Sequence, residues 1–361
     1  MATYHPRYSN RKQAGKRKSR RIIAVLLIVF VILFAAFAWL SYMVVIKPNV
    51  YTADQQQAFI TIPTGSGFSE VKKALYSHGY IINRRNFEWV ARFRHYPESV
   101  KPGRYRIDES MSNLDLVNLL RSGAQTPVRL TFNNIRTPEQ LAGRLATQIE
   151  ADSASFMKLF NDSVFLDSLN ITRKELFNIF MPDTYEVYWD TPARSVIKRM
   201  KTEADKFWEG ERTMKLERIE LSRNEAITLA SIVEKETNKN DEKARIAGVY
   251  MNRLKNGWLL EADPTLVFAH GDFGIRRVLT AHKTINSPYN TYLYHGLPPG
   301  PIYLPSKASI DAVLNYEDHQ YMFFCAREDF SGYHNFARTL EQHNLNAYKY
   351  RQALNRRNIY K

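Results

Sequence analysis

Two carboxylates one residue apart, Glu234 and Glu236, close an otherwise apolar helical stretch in Ser231-Ile232-Val233-Glu234-Lys235-Glu236-Thr237. At about 100° per residue they fall on opposite edges of the apolar stripe, with Lys235 pointing away from it. A glutamate half-buried there would have the raised pKa that a general acid needs at neutral pH. A solvated Glu-Lys-Glu helix end is the plain alternative, and helical geometry does not choose between the two glutamates. Asp263, in Ala262-Asp263-Pro264-Thr265, is a candidate second carboxylate, against a role capping its own turn. Tyr289, Asn290 and Tyr292 offer ring faces and an amide suited to stacking on and hydrogen-bonding sugars, or to packing a loop. His334 is a candidate for orienting Glu236 or binding substrate. His270, His282 and His343 share no metal-ligand spacing with it, so no metal is expected. The single cysteine, Cys325, excludes a disulfide framework and reads as a residue of a buried strand, Tyr321–Ala326. Ser231 lacks a nucleophile-elbow context.

The elements that must hold these groups follow from periodicity. Asn224–Thr237 reads as a helix with Ala226, Leu229, Ala230 and Val233 on one face; Glu242–Leu254 reads as a second, presenting Ile246, Val249, Tyr250 and Leu254. The remainder of 223–361 is rich in Asn, Tyr and Pro, as in Gly296-Leu297-Pro298-Pro299-Gly300, and suits long loops around a cleft. Residues 151–222 read mostly as helix, broken before Pro182. Within 57–147 a β-rich run, a polar turn and an amphipathic helix recur three times, with strands at Phe59–Ile62, Tyr105–Ile107 and Val128–Phe132. Such units resemble LysM-type carbohydrate-binding modules; a ligand-free α+β scaffold would show the same spacing.

The N-terminus decides the compartment. Ile22–Leu40 is nineteen apolar residues without a polar face, long enough to cross a bilayer and too long for a signal-peptide core. Eight of the 51 basic residues lie in the first 21 positions with no acid among them, so more than half of the +15 net charge is a local tail. That flank keeps the N-terminus cytoplasmic and sends residues 47–361 across an inner (plasma) membrane, single-pass. It reads as orientation and anionic-lipid contact, not as nucleic-acid binding. An exported domain has no routine ATP or nicotinamide supply, no phosphate-binding glycine loop is present, and no cofactor is expected.

Five segments then appear in order: Ala230–Thr237; Ala262–Thr265; Pro288-Tyr289-Asn290-Thr291-Tyr292; Gly296–Gly300; and His334-Asn335-Phe336 followed by Glu341-Gln342-His343-Asn344. Together they resemble the endolytic murein transglycosylase family, also called YceG-like, over roughly Phe59–Tyr350. The resemblance implies an α+β chain: basic tail 1–21, transmembrane helix 22–46, LysM-like α+β subdomain 47–150, and a helix-rich catalytic domain 151–361 with long cleft-forming loops. It implies a lytic transglycosylase cutting the MurNAc–GlcNAc bond of nascent peptidoglycan and leaving 1,6-anhydroMurNAc ends. It assigns catalysis to Glu236, with Asp263, Thr265, Tyr289, Asn290, Tyr292 and His334 as the substrate-binding set, and makes glycan strands and cell-wall synthases the expected partners. The family's Glu-Gly before Pro-Asp-Thr-Tyr is missing; Leu176-Phe177-Asn178-Ile179-Phe180-Met181 stands there. A non-catalytic envelope protein binding peptidoglycan or synthesis partners is the alternative function. A cytoplasmic aminodeoxychorismate lyase conflicts with the topology, and no Schiff-base lysine context is visible.

Overall fold

The computed structural model describes residues 11–53, 58–275 and 277–357. Residues 1–10 of the expected basic tail lie outside the described residues. Helix α1 (Arg11–Ser41) runs on into a π-helical turn, Tyr42–Ile46. Over Ser19–Ile46 the chain is long and apolar enough to cross a membrane; its most apolar window is unburied, while Val44 and Val45 near its end pack partly against the neighbouring core. A core helix of a soluble protein would be covered; that window is bare on every side.

The chain divides after Thr126 into two units. The first contains β1 (Ala58–Ile62), α2 (Phe68–Ser77), α3 (Arg84–Phe93), β2 (Gly103–Ile107) and α4 (Asn113–Ser122). The strands pair antiparallel, Ala58 opposite Ile107 and Ile62 opposite Gly103. Alternation does what period 2 requires: Ala58, Ile60 and Ile62 face the core with Tyr105 and Ile107, while Thr61 and Arg106 face out. Ser112 and Asp115 cap α4 reciprocally, and Gly123, at φ +75°, ends it in the left-handed region. Two of the three expected repeats are therefore here. The third lies in the second unit.

The second unit takes that third repeat because its strand finds a partner there. β3 (Val128–Thr131) precedes α5 (Pro138–Ala146), α6 (Ser153–Phe160) and α7 (Ser163–Asp167), and pairs antiparallel with β4 (Thr184–Val187). β4 follows Pro182, where an interrupted helical segment was expected. Tyr185 anchors it, stacking on Phe132 at 5.7 Å and donating to the Met181 carbonyl at 2.6 Å. Helices α8 (Ala193–Trp208) and α9 (Glu211–Arg218) lead to α10 (Arg223–Glu236) and α11 (Asn240–Lys255). Then come α12 (Asp263–His270), α13 (Lys307–Leu314), the hairpin pair β5 (Phe323–Ala326) and β6 (His334–Ala337), and α14 (Leu340–Arg356).

α10 is the centre of this unit. Ser222 and Glu225 form its capping box, and every residue from Ala226 to Val233 is buried, so it is enclosed all round instead of along one stripe. Small residues let its neighbours close in: Ser231 Oγ donates to the Thr228 carbonyl at 2.6 Å and accepts the Ile302 N–H at 3.0 Å. α11 needs the same economy of volume, since a Cβ on Gly248 would lie 2.3 Å from the Glu317 carbonyl oxygen. β5 is shorter than expected and only half-buried, so Cys325 is not a core residue.

Candidate active site

Because α10 is buried along its length, its last turn delivers carboxylates to the edge of the core. Glu234 and Glu236 leave that turn for different environments. Glu234 turns inward to a cluster of donors: buried Lys243 of α11 at 3.0 Å, Ser306 Oγ at 2.6 Å and Ser309 Oγ. Burial by itself would raise its pKa, but the two serine hydroxyls and the lysine outweigh that and hold it below the ordinary carboxylate value. An ionised carboxylate so saturated joins α10, α11 and the start of α13; it has no proton to give.

Glu236 has one protein hydrogen bond, from Tyr250 Oη at 2.6 Å. Loss of solvent pushes its pKa up to about 7, helped by the nearby Asp263 charge and opposed by the Tyr250 hydrogen bond and Arg253. Burial and the Glu236 charge keep Tyr250 itself protonated, so it donates throughout. A carboxyl balanced near neutrality, held by one donor and open to a cleft, can both give and take a proton.

Two cavities meet at this carboxyl. One of 830 Å³ and one of 470 Å³ share Glu236 and Asp263 as lining residues. The larger shares Arg136, Lys235 and Tyr303 as lining residues with a third, of 630 Å³. Glu236 therefore stands inside a trough with room on both sides. Asp263, exposed at the first position of α12, accepts from Tyr292 Oη at 2.6 Å, so it belongs to a helix start and not to the loop expected. His334, on β6, lines the smaller cavity, with Nδ1 2.7 Å from Glu242 and its backbone N–H bonded to the same buried carboxylate. It does not touch Glu236. Its Nε2 has no protein partner among the described residues.

Three residues of the expected binding set stand behind the cleft. Thr265 is fully buried, bonded to the Ala262 carbonyl and to Thr291 Oγ1 at 2.8 Å. Asn290 is fully buried too: its amide donates to the Lys283 and Ile285 carbonyls and its oxygen accepts the Tyr292 N–H at 3.0 Å, which fixes the loop that presents Tyr292. Tyr289 packs against Phe268 at 4.7 Å, and Phe268 faces the larger cavity. The Pro298–Pro305 segment is largely buried, so only Ile302 and Tyr303 of that loop reach the trough.

Sequence reasoning passed over α11. It supplies Tyr250 to Glu236, Glu242 to His334, Lys243 to Glu234, and Arg253 to the carbonyls of Leu260 and Met322 and to Glu261. The available signal was three charged residues, Glu242, Lys243 and Arg253, in a helix needed for the core; buried charges of that kind require partners.

With this geometry in hand, the comparisons are specific. The YceG-like family model matches residues 60–349. This chain belongs to the YceG-like family. It is 27% identical to the endolytic murein transglycosylase of Bacillus subtilis over 82% of this chain and 85% of that one. The endolytic murein transglycosylase of Streptococcus pneumoniae is 28% identical over 83% of this chain, which spans 60% of the pneumococcal protein's length. The crystal structure of a YceG-like protein from Listeria monocytogenes matches with a TM-score of 0.56 at 26% identity, covering 80% of this chain and 98% of that one. The stretch Leu176–Met181, where a Glu-Gly was expected, is buried except for partly covered Asn178, which bonds Asn224 at 3.0 Å. None of it lines the trough.

Proposed function

We propose that this YceG-like protein is a membrane-anchored lytic transglycosylase that cuts peptidoglycan glycan strands internally, with Glu236 as its only proton-transfer group. The observation that carries the reading is a carboxyl with a pKa near 7 set part-way along a trough. Protonated Glu236 gives its proton to the glycosidic oxygen between N-acetylmuramic acid and N-acetylglucosamine, and that bond breaks. The oxocarbenium-like charge at the muramoyl C1 is shared by the sugar's own N-acetyl group. The resulting carboxylate takes the proton of the muramoyl 6-hydroxyl, whose oxygen closes onto C1 as a 1,6-anhydro ring. Hydrolytic glycosidases need a second carboxylate about 5–9.5 Å away; here the substrate supplies that function. Asp263, engaged by Tyr292, adds negative charge near the developing cation and keeps the Glu236 proton in place. Tyr292 and His334 contact the sugars, while Thr265, Asn290 and Tyr289 shape the wall they stand on.

Helix α1 serves as the anchor, its basic flank keeping the N-terminus cytoplasmic and the two folded units outside the inner membrane. The antiparallel strand–helix–helix–strand order of β1 to β2 supports reading the first unit as a LysM-like holder of glycan strands. The test is to digest purified peptidoglycan with the full chain in detergent and to analyse the products by mass spectrometry. Anhydro-ended fragments from within strands are expected. Reducing ends formed by hydrolysis, or no cleavage, would contradict the reading.

A further inference from the structure

The charges lining the two arms of the trough are unequal. In the smaller arm each cation has an anionic or aromatic partner: Arg253 is tied to Glu261 at 3.2 Å and Lys283 lies 4.2 Å over the Tyr292 ring. In the larger arm Arg136, Lys235, Arg277 and Arg351 line one cavity, and none is in an ion pair among the described residues. Arg136 and Lys235 are held in place by aromatic faces, Arg136 4.6 Å over Phe273 and Lys235 4.7 Å over Tyr303. Both also line the third cavity, whose walls do not include Glu236. The only acids on its walls are Glu236 and Asp263, at the junction itself.

The hydroxyls and N-acetyl groups of a glycan strand give four cations no reason to be gathered in one arm, where they repel one another. Burial first, and then the neighbouring Arg136 charge, lower the Lys235 pKa against the opposing Glu234 charge. Guanidinium groups free of carboxylate partners, Arg136 among them fixed over a ring, are suited to a carboxylate ligand, which they hold by charge-assisted and often bidentate bonds. Resting on the transglycosylase reading above, we propose that this arm binds the carboxylates of the stem peptide carried by the muramoyl residue, and that the enzyme selects peptide-bearing strands over bare glycan. The smaller arm, charge-balanced and partly aromatic, takes sugar alone.

The experiment compares uncrosslinked peptide-bearing strands with the same strands stripped by an amidase, which leaves one lactyl carboxylate in place of each stem peptide, using the full chain in detergent. Anhydro ends are counted by mass spectrometry, and kcat/KM is obtained on each substrate. The peptide-bearing strands should be cut about tenfold or more efficiently, the worth of one charge-assisted contact. The double variant Arg136→Gln/Arg351→Gln should bring that ratio towards one, mainly through KM, with an unchanged circular dichroism spectrum. Substituting Arg136→Lys and Arg351→Lys, which keeps charge but not the fork, should restore part of it. Equal efficiency of the wild type on both substrates would overturn the proposal and leave the transglycosylase reading intact. A preference that survives the double variant would also overturn it. Cleavage of neither substrate would remove the underlying reading as well.

Discussion

At Glu236 the chemistry depends on a balance. Desolvation raises its pKa, the Tyr250 hydroxyl and Arg253 lower it, and the result lies near 7. Tyr250→Phe removes one of the lowering groups, so the Glu236 pKa should rise and the alkaline limb of the pH–rate profile should move to higher pH. The rate should fall by about tenfold, the cost of losing one hydrogen bond to a charged group; an unmoved limb would show that Tyr250 does not set this pKa. The same balance costs stability. The folded-state pKa lies above the ordinary 4.5, so as pH rises between these values the unfolded chain releases a proton that the folded chain retains. Stability from this group is complete below about pH 4.5 and lost through about pH 7. Glu236→Gln has no proton to lose, so its melting temperature should exceed the wild-type value at about pH 8 by more than at about pH 4, with a difference of about 3 kcal/mol. An equal difference at both pH values would show that the carboxyl is not desolvated.

The elements show why one of two adjacent glutamates is structural. Glu234 was as plausible as Glu236 on a helical wheel, because the wheel contains α10 alone. Its role comes from Lys243 on α11 and from Ser306 and Ser309 at the start of α13, residues up to 75 positions away. Glu234→Gln leaves the buried Lys243 ammonium without its counter-charge, and should cost about 3 kcal/mol in denaturant unfolding. Its pKa is held low, so that contribution is present at neutral pH and lost on acidification. A variant as stable as wild type would refute the staple. Local signals served well where the cause was local: the polar turn before α4 and the strands β1 and β2 were legible. Pairing was not. β3 joins β4 across 52 residues, and nothing in Val128–Thr131 names Thr184–Val187 as its partner. For the same reason Thr265 and Asn290, right in type for a sugar site, were misplaced: their hydroxyl and amide close a loop on α12 and do not face the trough.

For the molecule as a whole, the run Ile22–Leu40 was legible by composition alone, since nineteen apolar residues need no tertiary context to be read. A phosphatase reporter fused after Lys361 should be active only outside the cytoplasm; cytoplasmic activity would reverse the topology. The division after Thr126, and the trough itself, depend on contacts between distant segments and became visible only in the structure. The account stands on a single carboxyl acting in both proton transfers, which makes Glu236→Gln its most direct test. The amide preserves size and the Tyr250 contact but can neither donate nor take up the proton. General acid–base catalysis is worth about 10²–10⁴-fold, and one group serving both steps puts the loss at or beyond the upper end. The measurement is the initial rate of anhydro-end formation from peptidoglycan by the full-length wild type and Glu236→Gln, both verified as folded by circular dichroism. The account predicts that the variant forms anhydro ends at least about a thousandfold more slowly; a variant working near the wild-type rate would contradict it.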